Sequence, residues 1–309
     1  MVTPLFFEGV GRLERYWHRA EAKSTESSGC AGQRGPIELK IRMAFAPSVS
    51  RQRIVSLAPN ATSILVAIGA LRQLVAVSRW CKEVADVSGL PELGDCWALD
   101  TEPILRLKPT LIVGSVPFKS ETVQKILTLP VPFLALNPRS LADIEADIHA
   151  LGRLAEASAR AEALVREMRR KFDAVQSAAR RAKSRPRVYA EAWPSPRISS
   201  PPWVAELIEM AGGEMIVPAG ERISDEDVAR ARPELIVLAW TATGDKAKPA
   251  QALENPAWQD VPALKERRIA VIRDELLNTP GPPLVRGAEE LFRSIHPELS
   301  IPSRRRRGD

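Results

Sequence analysis

Tryptophans are the residues of this sequence whose type and position best suit chemistry, and that chemistry is binding. The chain of 309 residues has seven tryptophans although only 5% of its residues are aromatic. Five lie in loops next to predicted strands or helices: Trp80, Trp97, Trp193, Trp203 and Trp240. An indole offers a large flat apolar face and one donor, which suits a broad, partly polar ring ligand. Loop tryptophans can also cover the ends of a sheet, but five together favour a ligand site.

Residues suited to catalysis or to metal binding are sparse by comparison. The sequence has no GxSxG motif and no phosphate-binding glycine loop, and its histidines (His18, His149, His296) are far apart. Its cysteines form no CxxC pair, although a Cys81–Cys96 disulfide remains open. We therefore predict a binding protein, not an enzyme, with no metal site and no catalytic cofactor. An enzyme whose coenzyme supplies the chemistry is the alternative.

The elements that must position the tryptophans alternate between strand and helix. Short apolar runs predict strands at 54–57, 74–77, 111–113, 133–136, 188–190, 235–238 and 269–272. A helix with Asn60 or Thr62 as its N-cap follows the first strand, and shorter helices are predicted at 102–107 and 204–211. This alternation indicates parallel sheets covered on both faces, whose ligands lie beyond the carboxyl ends of the strands.

Residues 140–182 break the alternation with a long helical pattern. Apolar residues recur every 3.6 positions from Leu154 to Val175, and Ser158 can cap a helix of about 24 residues and about 36 Å. We predict an α/β fold with two Rossmann-like lobes, joined by one long rigid helix, with a ligand cleft between the lobes. The predicted parts are a disordered extension (1–47), an N-terminal lobe (48–139), a helical spine (140–184), a C-terminal lobe (185–299) and a basic tail (300–309).

An internal repeat supports two related lobes. Residues 102–113 (EPILRLKPTLIV) align without gaps with residues 226–237 (EDVARARPELIV). Convergent helix–proline–strand units are the alternative, because proline often follows a helix. Glu102 and Glu226 begin their helices, where a carboxylate complements the helix dipole. As a symmetric pair on the rims of the two lobes, they can also dock onto basic residues of a partner.

Charge and the chain ends restrict the class of protein further. The net charge is +6, but Arg304 to Arg307 supply four of these charges, so we predict no nucleic-acid partner. No segment is long and apolar enough to span a membrane. Residues 1–47 contain charged residues and no apolar run of signal-peptide length, so no export signal is visible.

Several segments together resemble a known family. The chain is similar to the helical-spine (class III) periplasmic solute-binding proteins of ABC importers, which take iron-siderophores, haem or vitamin B12. Within that Fe/B12 family it looks most like the cobalamin-binding branch. The segments that carry the resemblance are 53–63 (RIVSLAPNATS), 102–113, 191–193 (EAW), 203–213 (WVAELIEMAGG), 278–285 (NTPGPPLV) and 296–298 (HPE).

The resemblance implies a function and a set of site residues. It implies a periplasmic protein that binds cobalamin or a related corrinoid and delivers it to a dimeric ABC permease, and we expect a monomer. Ferric-siderophore or haem binding is the alternative within the fold, and a cytoplasmic corrinoid-storage protein or corrinoid-acting enzyme is the alternative outside it. Residues 79–82 (RWCK) depart from the branch's usual tyrosine and acidic turn, which leaves the exact ligand open. The implied ligand-binding residues are Trp80, Trp97, Trp193 and Asp274 (or Glu275), to which the loop position of Trp240 adds a fourth tryptophan, and the implied permease contacts are Glu102 and Glu226.

Overall fold

The computed structural model describes residues 52–241 and 247–301. The extension predicted over residues 1–47 and nearly all of the predicted basic tail lie outside the described residues. Within the described part of the chain, no helix has both the length and the apolar character needed to cross a membrane.

The first lobe is built on a five-stranded parallel sheet with strand order β3-β2-β1-β4-β5. Its strands are β1 (Ile54–Ser56), β2 (Leu74–Ser78), β3 (Glu92–Leu93), β4 (Leu111–Ser115) and β5 (Phe133–Leu136). Its helices are α1 (Pro59–Ala67), α2 (Glu102–Arg106) and α3 (Ser120–Leu127). The central strands β1 and β4 are buried along their whole length, as expected for a parallel sheet covered on both faces.

Two helices connect the lobes. Helix α4 (Leu141–Leu154) is capped by Ser140, whose hydroxyl accepts a hydrogen bond from the Asp143 N–H at 3.1 Å. Helix α5 (Ser158–Ala179) is the predicted long helix and has 22 residues. Ser158 is its first residue and not its cap, because Ala157 takes the N-cap position without a side-chain hydrogen bond.

Helix α4 packs against α1 of the first lobe, and helix α5 packs one apolar face against α4 and against the second lobe. Its buried residues include Val165, Met168 and Phe172, which follow the periodicity seen in the sequence. They belong to one continuous core that also contains Ile64 of the first lobe and Phe292 of the second. The two lobes therefore share a hydrophobic core through α4 and α5, which opposes their movement relative to each other.

The second lobe has a mixed sheet with strand order β10-β9-β6-β7, and β8 pairs with β6. Its strands are β6 (Arg187–Pro194), β7 (Arg197–Ser199), β8 (Glu214–Met215), β9 (Leu235–Leu238) and β10 (Ile269–Val271). Its helices are α6 (Pro202–Met210), α7 (Asp225–Ala231), α8 (Pro249–Leu253), α9 (Pro262–Lys265), α10 (Asp274–Leu277) and α11 (Leu284–Ile295).

The predicted two-lobed α/β fold is confirmed, with one correction to the second sheet. Strand β7 runs antiparallel to β6, so this sheet is not wholly parallel. Strand β7 and the two-residue strands β3 and β8 were not predicted from the sequence. These strands have only two or three residues, which is too few to show an apolar run. They form because neighbouring strands pair with them, and their own sequence does not reveal this pairing.

The sequence repeat corresponds to a structural repeat. The matching residues Lys108 and Arg232 both adopt positive φ angles, of 45° and 49°, where the helix turns into the following proline. In each lobe, an arginine at the start of a central strand donates hydrogen bonds to the carboxyl end of the helix in the repeat. Arg53 Nη2 donates to the Leu107 carbonyl at 2.7 Å, and Arg187 Nη2 donates to the Ala231 carbonyl at 2.7 Å. Equivalent contacts at equivalent positions favour duplication over chance convergence.

Gly212, which follows α6, lies close to His296 at the end of α11. A substitution at Gly212 therefore tests the packing within the second lobe. Gly212 has a φ of +84°, and a Cβ added there would lie 2.7 Å from His296 Nε2. Gly89 has nearly the same φ, +86°, but its added Cβ would meet nothing within 4 Å.

We expect Gly89→Ala to lower the free energy of unfolding by about 1 kcal/mol, the cost of the left-handed backbone. Gly212→Ala should cost roughly 2 kcal/mol more, because the new methyl group overpacks the core. Urea denaturation of both variants measures the difference. Equal losses would show that the His296 contact does not constrain the fold.

Candidate functional site

A cleft between the lobes, with a volume of about 670 Å³, is the candidate site. It opens where β1, β2, β4, β6 and β9 end, at the carboxyl side of the strands, which is where parallel α/β sheets place their ligands. This volume lies within the range of pockets that bind small molecules. The first lobe contributes Trp80 and Trp97 to its wall, and the second contributes Trp193, Asp274 and Glu275.

Trp80 is fixed on the first-lobe wall by two contacts. Its indole N–H donates to Asp95 Oδ2 at 2.9 Å. The guanidinium carbon of Arg79 lies over its ring, 4.8 Å from the centroid, in a cation–π contact. The indole is half-buried, so it presents a limited apolar face to the cleft.

Trp97 and Trp193 face the cleft from opposite lobes and are unusually exposed for tryptophans. Trp97 is 58% exposed and Trp193 is 39% exposed. The Trp193 indole N–H donates to the Ser195 carbonyl at 2.8 Å, within the hairpin that joins β6 to β7. Exposed aromatic side chains on facing walls are typical of a site that stacks on a flat ligand.

Trp240 does not join these residues, although it was predicted to. It is buried beside a separate cavity of about 220 Å³ in the second lobe, where its indole N–H donates to Glu191 Oε1 at 2.7 Å. Trp203 is buried as well, and its indole N–H donates to the Leu277 carbonyl at 2.8 Å. Both side chains turn toward buried acceptors, which no local sequence signal reveals.

The second-lobe wall carries the predicted acidic residues at the start of a short helix. Asp274 and Glu275 form the first turn of α10 and line the cleft. The neighbouring Arg273 forms an ion pair with Glu275 and lies 3.8 Å from Glu83 of the first lobe, measured from Nη2 to Oε2. This contact between the lobes at the cleft was not predicted, because Glu83 and Arg273 are distant in sequence.

The amino-terminal end of α1 also faces the cleft. Ala58 is its N-cap and accepts the Thr62 N–H at 3.1 Å, and no side chain caps this helix. The predicted caps were therefore wrong, since Asn60 and Thr62 lie inside the helix. Asn60 instead donates through Nδ2 to Ser115 Oγ at 3.0 Å, which ties α1 to the end of β4. An uncapped helix start leaves backbone N–H donors for water or a ligand.

The ionisable residues that line the described cleft are mostly acidic. Four carboxylates, those of Glu83, Asp95, Asp274 and Glu275, line it together with the guanidinium of Arg79, and they still outnumber the cations when Arg273, which pairs with Glu83 and Glu275, is included. Such an imbalance disfavours an anionic ligand and suits one that is uncharged, cationic or rich in hydrogen-bond donors.

Cys81 and Cys96 do not form the disulfide that the sequence left open. Both are buried free thiols. Cys96 lines the cleft, and burial raises the pKa of its thiol to about 11. Burial also raises the pKa of Cys81, which contacts Thr62 and Ser78. Both side chains are therefore neutral at physiological pH and are poor nucleophiles and poor metal ligands.

Glu102 and Glu226 lie outside the cleft, each in the first turn of its helix. The Glu102 carboxylate is 75% exposed and accepts from Arg106 Nη2 at 2.9 Å. Glu226 is also exposed, and the neighbouring Ser224 caps its helix by accepting the Asp227 N–H at 3.0 Å. Both glutamates are accessible to a partner.

No cluster of three or more potential metal ligands occurs within residues 52–241 and 247–301. The described cleft wall also contains no tyrosine and no histidine. Tyr189 is buried elsewhere in the second lobe, where its hydroxyl donates to Glu191 Oε2 at 2.7 Å.

Comparison with known proteins establishes the family. A family model described as "Periplasmic binding protein" matches residues 54–276, which include the first lobe, the spine and most of the second lobe. The chain belongs to this family.

Individual relatives have low sequence identity to this chain, but the alignments cover most of both proteins. An ABC transporter substrate-binding lipoprotein of Bacillus subtilis is 24% identical over 259 residues, which cover 80% of this chain and 81% of the relative. A vitamin B12-binding protein of Pectobacterium atrosepticum is 24% identical over 251 residues, covering 78% and 87%. A periplasmic heme binding protein from Pseudomonas aeruginosa superposes with a TM-score of 0.70 at 24% identity, covering 82% and 95%. The last likeness shows the fold alone.

The raised pKa of Cys96 predicts a loss of stability at alkaline pH. In the unfolded chain the thiol ionises near 9.0, whereas in the folded protein it ionises near 11. Its contribution is complete below pH 9 and is lost as the pH rises toward 11, because the unfolded state gains the thiolate first.

We expect the free energy of unfolding of the wild-type protein to fall more between these two pH values than that of Cys96→Ala. Other groups titrate in the same range, so the difference between the two proteins is the informative quantity. Urea denaturation across this pH range measures it. Identical pH dependence would contradict the burial of this thiol.

Proposed function

We propose that this protein binds cobalamin or a related corrinoid in the cleft and delivers it to an ABC importer. The observation that carries the proposal is the arrangement of Trp80, Trp97 and Trp193 on facing walls of one cleft. A corrin is a broad, puckered ring with apolar faces and a periphery of primary amides. Indole rings match its faces, and carboxylates match its amide donors.

The chemistry of the cleft favours a corrinoid over the other ligands of this fold. Haem needs an axial ligand such as tyrosine or histidine, and the described cleft wall provides neither. The one thiol in that wall, Cys96, is protonated because its pKa is raised to about 11. Haem carries two propionates, and ferric siderophores of the catecholate and carboxylate types are anionic, which the carboxylates of Glu83, Asp95, Asp274 and Glu275 disfavour. These are the features that support a corrinoid over haem and over anionic siderophores.

Delivery to an importer is supported by the family and by the exposed glutamates. The relative from Bacillus subtilis is described as an uncharacterized ABC transporter substrate-binding lipoprotein. Glu102 and Glu226 present one carboxylate from each lobe, in repeated positions, to a permease dimer. We place the protein outside the cytoplasm on the same grounds, acting as a monomer. A protein that stores corrinoid in the cytoplasm is the alternative, and cell fractionation distinguishes the two.

Ligand identity can be tested by titration of the intrinsic tryptophan fluorescence. Cyanocobalamin and cobinamide should quench at micromolar concentrations, whereas haem and a ferric siderophore should not. Trp97→Ala and Trp193→Ala should each weaken corrinoid binding about tenfold, the change expected when a contact worth about 1.4 kcal/mol is lost.

The control is Leu127→Ala, which removes an apolar side chain that is 66% exposed and lies outside the cleft. It should bind like the wild type. Quenching by haem or a siderophore, without quenching by either corrinoid, would overturn the proposed ligand.

Delivery can be separated from binding by a second set of variants. Glu102→Ala combined with Glu226→Ala should keep the wild-type affinity for cyanocobalamin, because neither residue lines the cleft. Uptake of cyanocobalamin through the cognate importer should fall, because rim charges guide docking.

Glu121→Ala is the matched control, since Glu121 is also an exposed acid in the first turn of a helix. It should leave uptake unchanged. Normal uptake by the double variant would exclude the two glutamates as docking residues.

A further inference from the structure

The carboxylate of Asp95 connects the two tryptophans of the first-lobe wall. Its Oδ2 accepts the Trp80 indole N–H at 2.9 Å. Its Oδ1 accepts the backbone N–H of Trp97 at 2.9 Å and that of Ala98 at 3.0 Å. One side chain therefore holds the ring of one tryptophan and the backbone of the other.

The backbone around Asp95 is constrained in a way that fixes this carboxylate. The Asp95 N–H donates to the Ala98 carbonyl at 3.1 Å, which closes a tight turn. A Cβ at Gly94 would lie only 2.0 Å from the same carbonyl oxygen, so the turn requires glycine there. The Trp97 carbonyl accepts the Thr122 hydroxyl at 3.0 Å, which ties the turn to α3. The carboxylate thus sits on a rigid support.

An ion pair does not explain the position of the Asp95 carboxylate. No cation of the described residues forms an ion pair with it, although Arg79 stacks on the neighbouring Trp80 ring. Hydrogen bonds to an ionised acceptor are stronger than those between neutral groups. Both oxygens are used on Trp80 and on the turn that carries Trp97.

We infer that Asp95 is a positioning residue that holds Trp80 and Trp97 in the arrangement that receives the ligand. The inference rests on the proposed function of the cleft. A tryptophan that is already held in place loses less conformational entropy when a ligand stacks on it, so preorganisation appears as affinity. Asp95 does not need to touch the ligand to have this effect.

Asp95→Asn isolates the link to Trp80. The amide oxygen can still accept the N–H groups of Trp97 and Ala98, so the turn is preserved. The amide nitrogen then faces the indole N–H, where two donors meet and no hydrogen bond forms. Trp80→Phe removes the same donor from the other side, and the double variant completes a double-mutant cycle.

The first measurement uses the protein without ligand. In nitrogen-15 spectra of the indole N–H groups, the signal that Trp80→Phe removes belongs to Trp80. In Asp95→Asn this signal should shift and exchange with water faster, while the other tryptophan signals stay in place. An unchanged Trp80 signal would overturn the inference, whatever the ligand proves to be.

The second measurement is the dissociation constant for cyanocobalamin in all four proteins. Asp95→Asn should weaken binding about tenfold, on the scale of about 1.4 kcal/mol per factor of ten, and should have no further effect once Trp80 is phenylalanine. Equal weakening in both backgrounds would overturn the inference, because Asp95 would then act independently of Trp80.

Asp86→Asn controls for the loss of one negative charge, because Asp86 lies in the same lobe but outside the cleft. It should bind like the wild type. Failure of the proposed function has a different signature. In that case the wild-type protein does not respond to cyanocobalamin, while the indole spectra still report on the link between Asp95 and Trp80.

Discussion

The packing of helix α5 against the second lobe and, through α4, against the first lobe is the interaction on which the rest of the structure depends. Val165, Met168 and Phe172 lie in a core that extends from Ile64 in the first lobe to Phe292 in the second. Protein interiors are close-packed and transmit strain, so a shared core resists sliding or hinge motion between the lobes. The cleft is therefore largely preformed, and the ligand meets walls whose separation is set by this helix.

In a preformed cleft, the loops at the strand ends supply the residues that contact the ligand. In the first lobe, Asp95 and the turn it organises hold Trp80 and present Trp97. In the second, the β6–β7 hairpin carries Trp193, and its indole N–H is already used within the hairpin. The indole faces, rather than most of the indole N–H groups, are left for the ligand, which suits stacking on a ring.

The charged residues and the tryptophans of the cleft have different roles in recognition. Carboxylates from both lobes make the described wall acidic, and the Arg273–Glu83 contact joins the lobes across the cleft. Partly exposed ion pairs of this kind contribute little to stability but influence which ligand charge is accepted. Under the proposed function, affinity depends mainly on the tryptophans and selectivity depends mainly on charge.

The sequence by itself determined the main strands, the long helix and the duplication of the lobes. Apolar runs located the main strands, the 3.6-residue period located α5, and the repeat of residues 102–113 at 226–237 predicted two similar lobes, because these signals are local. Tertiary structure alone decided which tryptophans share the cleft. Trp240 and Trp203 turn inward because buried acceptors, Glu191 and the Leu277 carbonyl, lie within reach of their indole N–H groups. The Asp95 link and the Arg273–Glu83 contact were equally hidden, since a side-chain partner distant in sequence leaves no periodic trace.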